Sequence, residues 1–323
     1  MKKFPVAIAT ADVHLRHKPP RARISEPDWY EAMKRNLDFL KRVRLSFEAD
    51  HNRPVPILYA GDIFDYWNVP PELINFAIEN LPHGYSVAGQ HDLPYHRFKD
   101  IKKSAYWTLV KSDVLISLNG RRIIDNSEWH THVTGFSYGQ PLTRCECQIE
   151  GVKIKIALIH KYIWSSRDNS YEGAPKKNLV SSLRRKLKGF DIAIFGDNHK
   201  AFLQPNIKGR DFSYPKILNC GPLIPQTIDL KNTTPKIYVI WSDKSIETIE
   251  VPTKHDRWIE DANLPTKSDV SIVADTLNNI FNKPVESFHS ALKKLAGSKR
   301  VKKAVKRVLY EIVEEINDKR EKV

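Results

Sequence analysis

The chain has 323 residues, with 52 Lys and Arg against 38 Asp and Glu, for a formal charge of +14. That length supports a sizeable core, and 41% hydrophobic with 28% charged residues excludes a largely disordered or collagen-like chain. No apolar run reaches the roughly 18 residues of a membrane-spanning helix, so a soluble, cytoplasmic protein with no membrane partner is expected. The opening MKKFPVAIATA imitates a signal peptide, but Asp12, His14 and Arg16 come at once and read as the end of a buried strand. Cys145, Cys147 and Cys220 are too few for a disulfide framework and lack a zinc-type spacing, which fits reduced thiols.

In chain order, β-rich apolar runs fall at Val6–Ala11, Ile57–Ala60, Tyr85–Ala88, Val152–Ile159 and Asp191–Phe195. Between the first two, apolar residues at Trp29, Met33, Leu37 and Leu40 predict a helix over Trp29–Phe47. Shorter helices are expected at Pro71–Asn80 and Ile101–Val110, and a basic one at Asn178–Leu187. The segment Pro19–Arg23 reads as a loop, because paired prolines disfavour helix. From residue 216 to 251 the pattern is β-rich again, with strands at Ile217–Cys220, Ile237–Trp241 and Ile246–Val251. Periodicity lapses near Pro252–Pro265, and Asp269–Val323 is helical in pattern. These features predict a core over 1–250 and a helical cap or partner-binding segment over 251–323.

The residues at the exit of each early strand are informative. Val6–Ala11 leads into Asp12-Val13-His14, and Ile57–Ala60 into Gly61-Asp62-Ile63-Phe64-Asp65. Tyr85–Ala88 leads into Gly89-Gln90-His91-Asp92, the fourth strand into His160, and Asp191–Phe195 into Gly196-Asp197-Asn198-His199. Residues just past strand carboxyl ends gather along one edge of an α/β sheet, where ligands bind. Singly, each Asp reads as a cap or turn former and each His as a structural hydrogen-bonder. Five such strand ends in succession point instead to one site. Carboxylate, imidazole and amide donors without thiolates suit Mn²⁺, Mg²⁺ or Fe²⁺, or zinc.

This ordered set resembles the calcineurin-like metallophosphoesterases, whose pattern runs D-x-H, G-D-x-x-D, G-N-H-D/E, an isolated His, then G-H-x-H. The resemblance spans about Val6 to Pro222 and implies a four-layered α/β sandwich holding two divalent ions, Mn²⁺ first among the candidates. It implies that Asp12, His14 and His199 hold one ion, that Asp62 bridges both, and that Gln90, His160 and Asp197 hold the second. His91 matches a histidine that assists at the phosphate without binding metal. Two cations about 3.5–4 Å apart would clamp an in-line displacement, with hydroxide from ionised water as nucleophile. Asp92 and Asp65 are candidates to orient histidines, Asp65 equally a helix-start cap. Two positions depart from the pattern: Gln90 replaces an asparagine and Asp197 a histidine. Both keep an oxygen donor, favouring Mn²⁺ or Mg²⁺ over softer ions.

Within the superfamily the chain resembles the SbcD-type DNA double-strand-break nucleases, including short phage-encoded forms acting in a host cytoplasm. GDIFD, Asn219-Cys220-Gly221-Pro222 and His255-Asp256-Arg257-Trp258 carry that likeness. It implies a metal-dependent DNA exonuclease or endonuclease of recombination or repair, with DNA as partner and a possible homodimer. An SbcC-type ABC ATPase would be gripped through the C-terminal helices, where Lys299–Arg307 is cationic and Val301, Val305, Val308, Ile312 and Ile316 form an apolar stripe. Arg16, His17, Lys18, Arg21 and Arg23 predict a basic mouth, with Lys161, Arg167 and the run Arg184–Lys188 as further phosphate contacts. Tyr66, Trp67, Tyr95 and Trp164 are placed to stack on bases or to pack their loops. Two other readings remain open: a small-molecule phosphatase or phosphodiesterase on the same core, and a non-catalytic DNA-binding or assembly subunit with a decayed second site.

Overall fold

A computed structural model describes residues 3–118, 120–126, 129–208 and 213–259. The chain divides into two units, Met1–Arg257 and Trp258–Val323. The expected helices beyond residue 260, with their cationic run and proposed ATPase contact, lie outside the described residues. Within the first unit the strands are β1 (Pro5–Thr10), β2 (Ile57–Tyr59), β3 (Gly84–Ser86), β4 (Leu115–Ser117), β5 (Gly120–Asn126), β6 (Trp129–Phe136) and β7 (Val152–His160). After them come β8 (Ile192–Gly196), β9 (Phe202–Gln204), β10 (Ile207–Lys208), β11 (Ser213–Tyr214), β12 (Lys216–Asn219), β13 (Lys236–Trp241) and β14 (Ile246–Glu250). The α-helices are α1 (Trp29–His51), α2 (Pro71–Asn80), α3 (Ala105–Lys111) and α4 (Val180–Arg184).

Among the described residues, two six-stranded sheets form, in the orders β14-β13-β1-β2-β3-β4 and β5-β6-β7-β8-β12-β9, beside a small β10-β11 pair. Strands β1 to β4 are parallel, as are β6, β7, β8 and β12, while β13, β14, β5 and β9 pair antiparallel with their neighbours. Parallel neighbours need long crossovers, and in the first sheet α1, α2 and the segment holding α3 supply them. Strand periodicity then sorts the side chains. Ala7, Ala9, Ala11, Leu58 and Ala60 of the first sheet meet Ile154, Ile156, Leu158, Ile192 and Ile194 of the second. Ile8, Ile57 and Tyr59 turn the other way onto Trp29, Met33, Leu37, Leu73, Ala77 and Tyr106 of the helices. On the far side Ala157, Ile159, Ala193 and Phe195 pack against Val180, Leu183 and Leu187. The layers are therefore helix, sheet, sheet, helix: the expected four-layered α/β sandwich. Each fully buried Leu or Ile contributes about 1.5–3 kcal/mol.

Local chemistry explains the departures from the expected elements. Asp28 caps α1 by accepting from the Tyr30 and Glu31 amides, and the helix runs past Phe47 to end at left-handed Asn52. The expected helix over Ile101–Val110 is broken, because Ser104 Oγ accepts from the Trp107 amide and starts α3 afresh. Phe98–Lys103 before it is 3₁₀. The basic helix likewise shortens to α4 plus one 3₁₀ turn at Arg185–Leu187, stopped by Gly189 at φ +91°. Arg21–Arg23 forms a 3₁₀ turn where a loop is expected. Strands β4 to β6 carry few long apolar runs and escape the sequence reading.

Candidate metal centre

The carboxyl ends of β1, β2, β3, β7 and β8 deliver their side chains to one place. The loops after β1 and β2 are zipped together: the Asp12, His14 and Leu15 amides donate to Gly61, Asp62 and Ile63 carbonyls at 3.1, 3.0 and 2.8 Å. The site residues also bend the backbone. Asp12, His14, Asp62 and Asp197 all sit at positive φ, at 48°, 49°, 51° and 90°. Left-handed backbone costs L-residues roughly 1–2 kcal/mol each, so the surroundings must hold these turns in place. Gly61, at φ +93°, has no room for a side chain, because a Cβ there would strike the His160 ring. At Gly89 a Cβ would overlap the Asp62 carboxylate. The glycines beside these motifs therefore let two strand ends close onto one another.

Asp12, His14 and Asp62, all buried, offer donor atoms within 4.8 Å of one another. His199 meets the His14 ring edge-on at 5.3 Å between centroids. His160 Nδ1 lies 2.6 Å from the Ala60 carbonyl, which can only accept, so that nitrogen carries the proton. Its Nε2 then points at Asp62 Oδ2, 3.3 Å away, and at Gln90 Oε1, 2.7 Å away. Gln90 Nε2 donates to Asp197 Oδ1 at 2.8 Å, which fixes the amide's orientation. The two departures from the family pattern thus meet each other: the longer glutamine reaches the carboxylate that stands where a histidine is usual. The Asp197 amide donates to both Asp12 oxygens at 3.0 Å, joining the two halves of the cluster.

Electrostatics follow burial and neighbours. Burial pushes His14 down to about 3 against the pull of Asp62, so its imidazole is neutral. Burial also lowers His199. For Asp62 burial is overcome by His160 and the carboxyl is held low, while His160 is driven up against its own burial, chiefly by Asp62. Burial raises Asp12 despite His160.

The donor set fits a divalent cation. Neither nitrogen of buried His14 and not Oδ2 of buried Asp62 has a hydrogen-bond partner. Buried polar atoms are nearly always satisfied, so orphans in one cluster mark a place for a ligand. With His160 driven up, its Nε2–H faces Gln90 Oε1 and Asp62 Oδ2, so a cation binding among these atoms would take the place of that proton.

All eight predicted site residues converge. The His91 amide donates to Asp62 Oδ1 at 3.0 Å, and His91 Nδ1 lies 2.7 Å from the Asp65 carbonyl. That carbonyl only accepts, so Nδ1 keeps its proton and Nε2 is the nitrogen left for chemistry. Several secondary expectations change. Asp92 orients no histidine: its carboxylate ties the Ile63, Phe64 and Gly89 amides together. Burial and nearby Asp62 raise it to about 7. No helix starts at Asp65, which instead offers an oxygen within 4.8 Å of donors on His14 and His91. The basic mouth is thinner than expected. Arg23 is fully buried in an ion cluster, Arg16 lies 3.4 Å from Asp65, and His17 faces Tyr30 and Glu72. Arg184 is buried too. Trp164 packs its loop, donating from Nε1 to the Pro175 carbonyl at 3.1 Å. Tyr66 and Tyr95 are exposed, with Trp67 and Tyr95 rings 5.9 Å apart. Gln226, which donates to the His14 carbonyl at 2.6 Å, and Asn198, which donates to Ile163 and Asn169 carbonyls, went unread in the sequence. No local pattern sets such long-range amides apart.

Fold, donor set and orphaned lone pairs together define a buried site suited to divalent cations at the strand ends of an α/β sandwich. The sequence profile of the calcineurin-like phosphoesterases matches residues 6–201, and the chain belongs to that family, whose members use two divalent metal ions. Among solved structures it is similar to the sulfate thiohydrolase SoxB of Thermus thermophilus, at 10% identity and TM-score 0.46, over 85% of this chain and 62% of that one. It is also similar to the calcineurin-like phosphoesterase YfkN of Bacillus subtilis, at 12% identity and TM-score 0.42, over 77% and 88%. The third is a 5′-nucleotidase precursor, also of Thermus thermophilus, at 12% and 0.45, over 86% and 59%. The chain thus spans less than two thirds of SoxB and of the nucleotidase. No curated protein matches the sequence. Among the described residues no helix is long and apolar enough to cross a membrane.

Proposed function

We propose that the chain hydrolyses phosphodiester bonds of DNA, as an exonuclease or endonuclease in recombination or repair. The observation carrying the phosphoesterase reading is that the buried His14 nitrogens and Asp62 Oδ2, beside Asp12, have no hydrogen-bond partner. Asp12, His14 and His199 would hold one cation, Asp62 both, and Gln90, His160 and Asp197 the second. A cation pair bound there supplies Lewis acidity toward phosphoryl oxygens and lowers the pKa of the attacking water. Asp62 Oδ2 lies 3.8 Å from His14 Nε2 and 3.3 Å from His160 Nε2, and its negative charge would offset that of the cations. The Asp65 carbonyl holds the Nδ1–H of His91 and aims Nε2 outward. As the imidazolium, with both nitrogens protonated, His91 would steady the charge developing on phosphate and give its Nε2 proton to the leaving oxygen. The DNA assignment draws on the +14 charge and on Lys161, whose pKa is lowered by burial and by Lys177 and Lys186, a cationic cluster beside the centre.

A second reading, hydrolysis of a small nucleotide-like ester, is favoured by a finite cavity of about 370 Å³ that reaches His160 and Asp197. Incubation with end-labelled single- and double-stranded DNA, with Mn²⁺ or EDTA, separates the two. Metal-dependent cutting that disappears in Asp62→Asn is the expected result, and the label reports polarity. Turnover of mononucleotides with intact DNA would move the assignment to the small-molecule reading.

A further inference from the structure

The metal centre opens, on the side of the second sheet, into the cavity of about 370 Å³. Its floor is His160 and Asp197, residues placed above in the centre, so whatever fills it is contiguous with the ester being cut. Its walls come from segments the motifs do not cover: the exit of β6 with Tyr138 and Gln140, the exit of β7 with Lys161 and Tyr162, and the loop bearing Lys177 and Asn178.

The wall chemistry is mixed in a particular way. Lys161 and Lys177 are cations with no ion pair among the described residues, standing next to a floor built for phosphate chemistry. Tyr138 and Tyr162 are half-buried rings, and Tyr162 is backed by Tyr171 with centroids 5.0 Å apart. Asn178 Oδ1 is buried in the same wall without a hydrogen-bond partner, an acceptor left for an N–H group. The loop carrying these groups is held in place. The Trp164 amide donates to the Asn178 carbonyl at 3.2 Å, and the Val180 amide donates back to the Trp164 carbonyl at 2.9 Å. The Trp164 indole adds its bond to Pro175. A volume near the lower end of the range for ligand pockets suits one nucleotide and no longer stretch of chain.

We propose that this cavity is a subsite for the nucleotide next to the scissile phosphodiester in a single strand. Lys161 and Lys177 take the adjoining phosphate, the tyrosines flank the base, and Asn178 accepts from its edge. The proposal rests on the phosphodiesterase reading and narrows it: an isolated phosphomonoester has no second phosphate for the lysine pair. Stacking on rings and phosphate pairing are tolerant of sequence, so the subsite selects strand geometry rather than base identity.

The test measures binding apart from turnover. Fluorescence anisotropy of a labelled oligothymidylate is recorded in EDTA across a salt series, for wild type and for Lys161→Ala/Lys177→Ala. The variant is expected to bind at least tenfold more weakly at low salt. Its slope of log affinity against log salt should be shallower by about 0.7, the amount for one phosphate contact on a single strand. With Mn²⁺ present, its efficiency on the oligonucleotide should fall more than on bis(p-nitrophenyl) phosphate, with the extra loss in KM. Tyr162→Leu serves as a second variant, expected to weaken binding without changing the salt slope. Unchanged affinity and slope in the double variant would overturn the subsite. So would a mononucleotide binding the cavity while the oligonucleotide does not. Absence of turnover on both substrates in wild type would sink the phosphodiesterase reading, and the EDTA binding arm would still decide the subsite.

Discussion

His91 shows how a single residue is prepared for chemistry. Its backbone amide is tied to Asp62 and its Nδ1 proton to the Asp65 carbonyl, so ring position and tautomer are both set before substrate arrives. Replacing it with Asn removes Nε2 as a proton carrier while leaving a polar side chain of modest size. Turnover should fall about 10²- to 10⁴-fold, with the thermal melt nearly unchanged. A drop smaller than tenfold in steady-state kinetics would remove His91 from the proton-transfer role. The strained backbone at Asp12, His14, Asp62 and Asp197 belongs to the same scale. Asp and His tolerate left-handed turns better than β-branched residues, which is one reason these types serve at strand exits.

At the scale of elements, a buried ion cluster joins the 3₁₀ turn at Arg21–Arg23, the N-terminal half of α1 and the segment after β14. Arg23 donates to Glu26 at 2.5 Å and to the Pro225 and Arg257 carbonyls, and lies 2.9 Å from Asp256. Arg35 adds a contact to Glu26 at 3.1 Å. Arg23→Ala would leave Glu26 and Asp256 buried without their main cation, and should cost about 3–5 kcal/mol in denaturant melts. Glu26 gives the pH signature. Burial raises its pKa, but the Arg257 amide, Arg23 and Arg35 outweigh that and hold it below the usual carboxylate value. A depressed carboxylate stabilises the fold above its unfolded pKa and loses that contribution as acid protonates it. Glu26→Gln should therefore cost about 1.5–3 kcal/mol at neutral pH and progressively less below pH 4.5. A penalty independent of pH in parallel melts at pH 7 and pH 3 would contradict this.

For the whole molecule, the metal centre is where two sheets are joined, since Asp12 and Asp62 follow strands of one and His160 and Asp197 strands of the other. A ligand that binds there only in the folded state must stabilise the entire core. Mn²⁺ at a hundred times its Kd should add about 2.7 kcal/mol, seen as a rise in Tm that EDTA reverses. Asp62→Asn should abolish the rise, and an undiminished rise would mean that the stabilising ion binds elsewhere. Metal counting bears on the second position. Gln90, His160 and Asp197 already satisfy one another, so a second equivalent should bind more weakly than the first.

Much of the class was legible in the chain itself. Apolar β-runs ending in Asp, His, Gly and amide residues identify five strand exits, and the order of those exits identifies the family. Those are local patterns, set by strand periodicity and by the few residue types that suit tight turns and hard cations. What the tertiary structure decided is who faces whom. Gln90 and Asp197, 107 positions apart, read separately as two departures and meet only when β3 and β8 are stacked in opposite sheets. Arg23 reads as part of a basic mouth and is buried, because the chain returns from β14 to offer it Asp256 and a carbonyl. The cavity by His160 depends on β6, whose residues carry no motif. Composition and periodicity report each residue's neighbours along the chain, whereas charge pairing and pocket shape depend on contacts that close only when the two sheets pack.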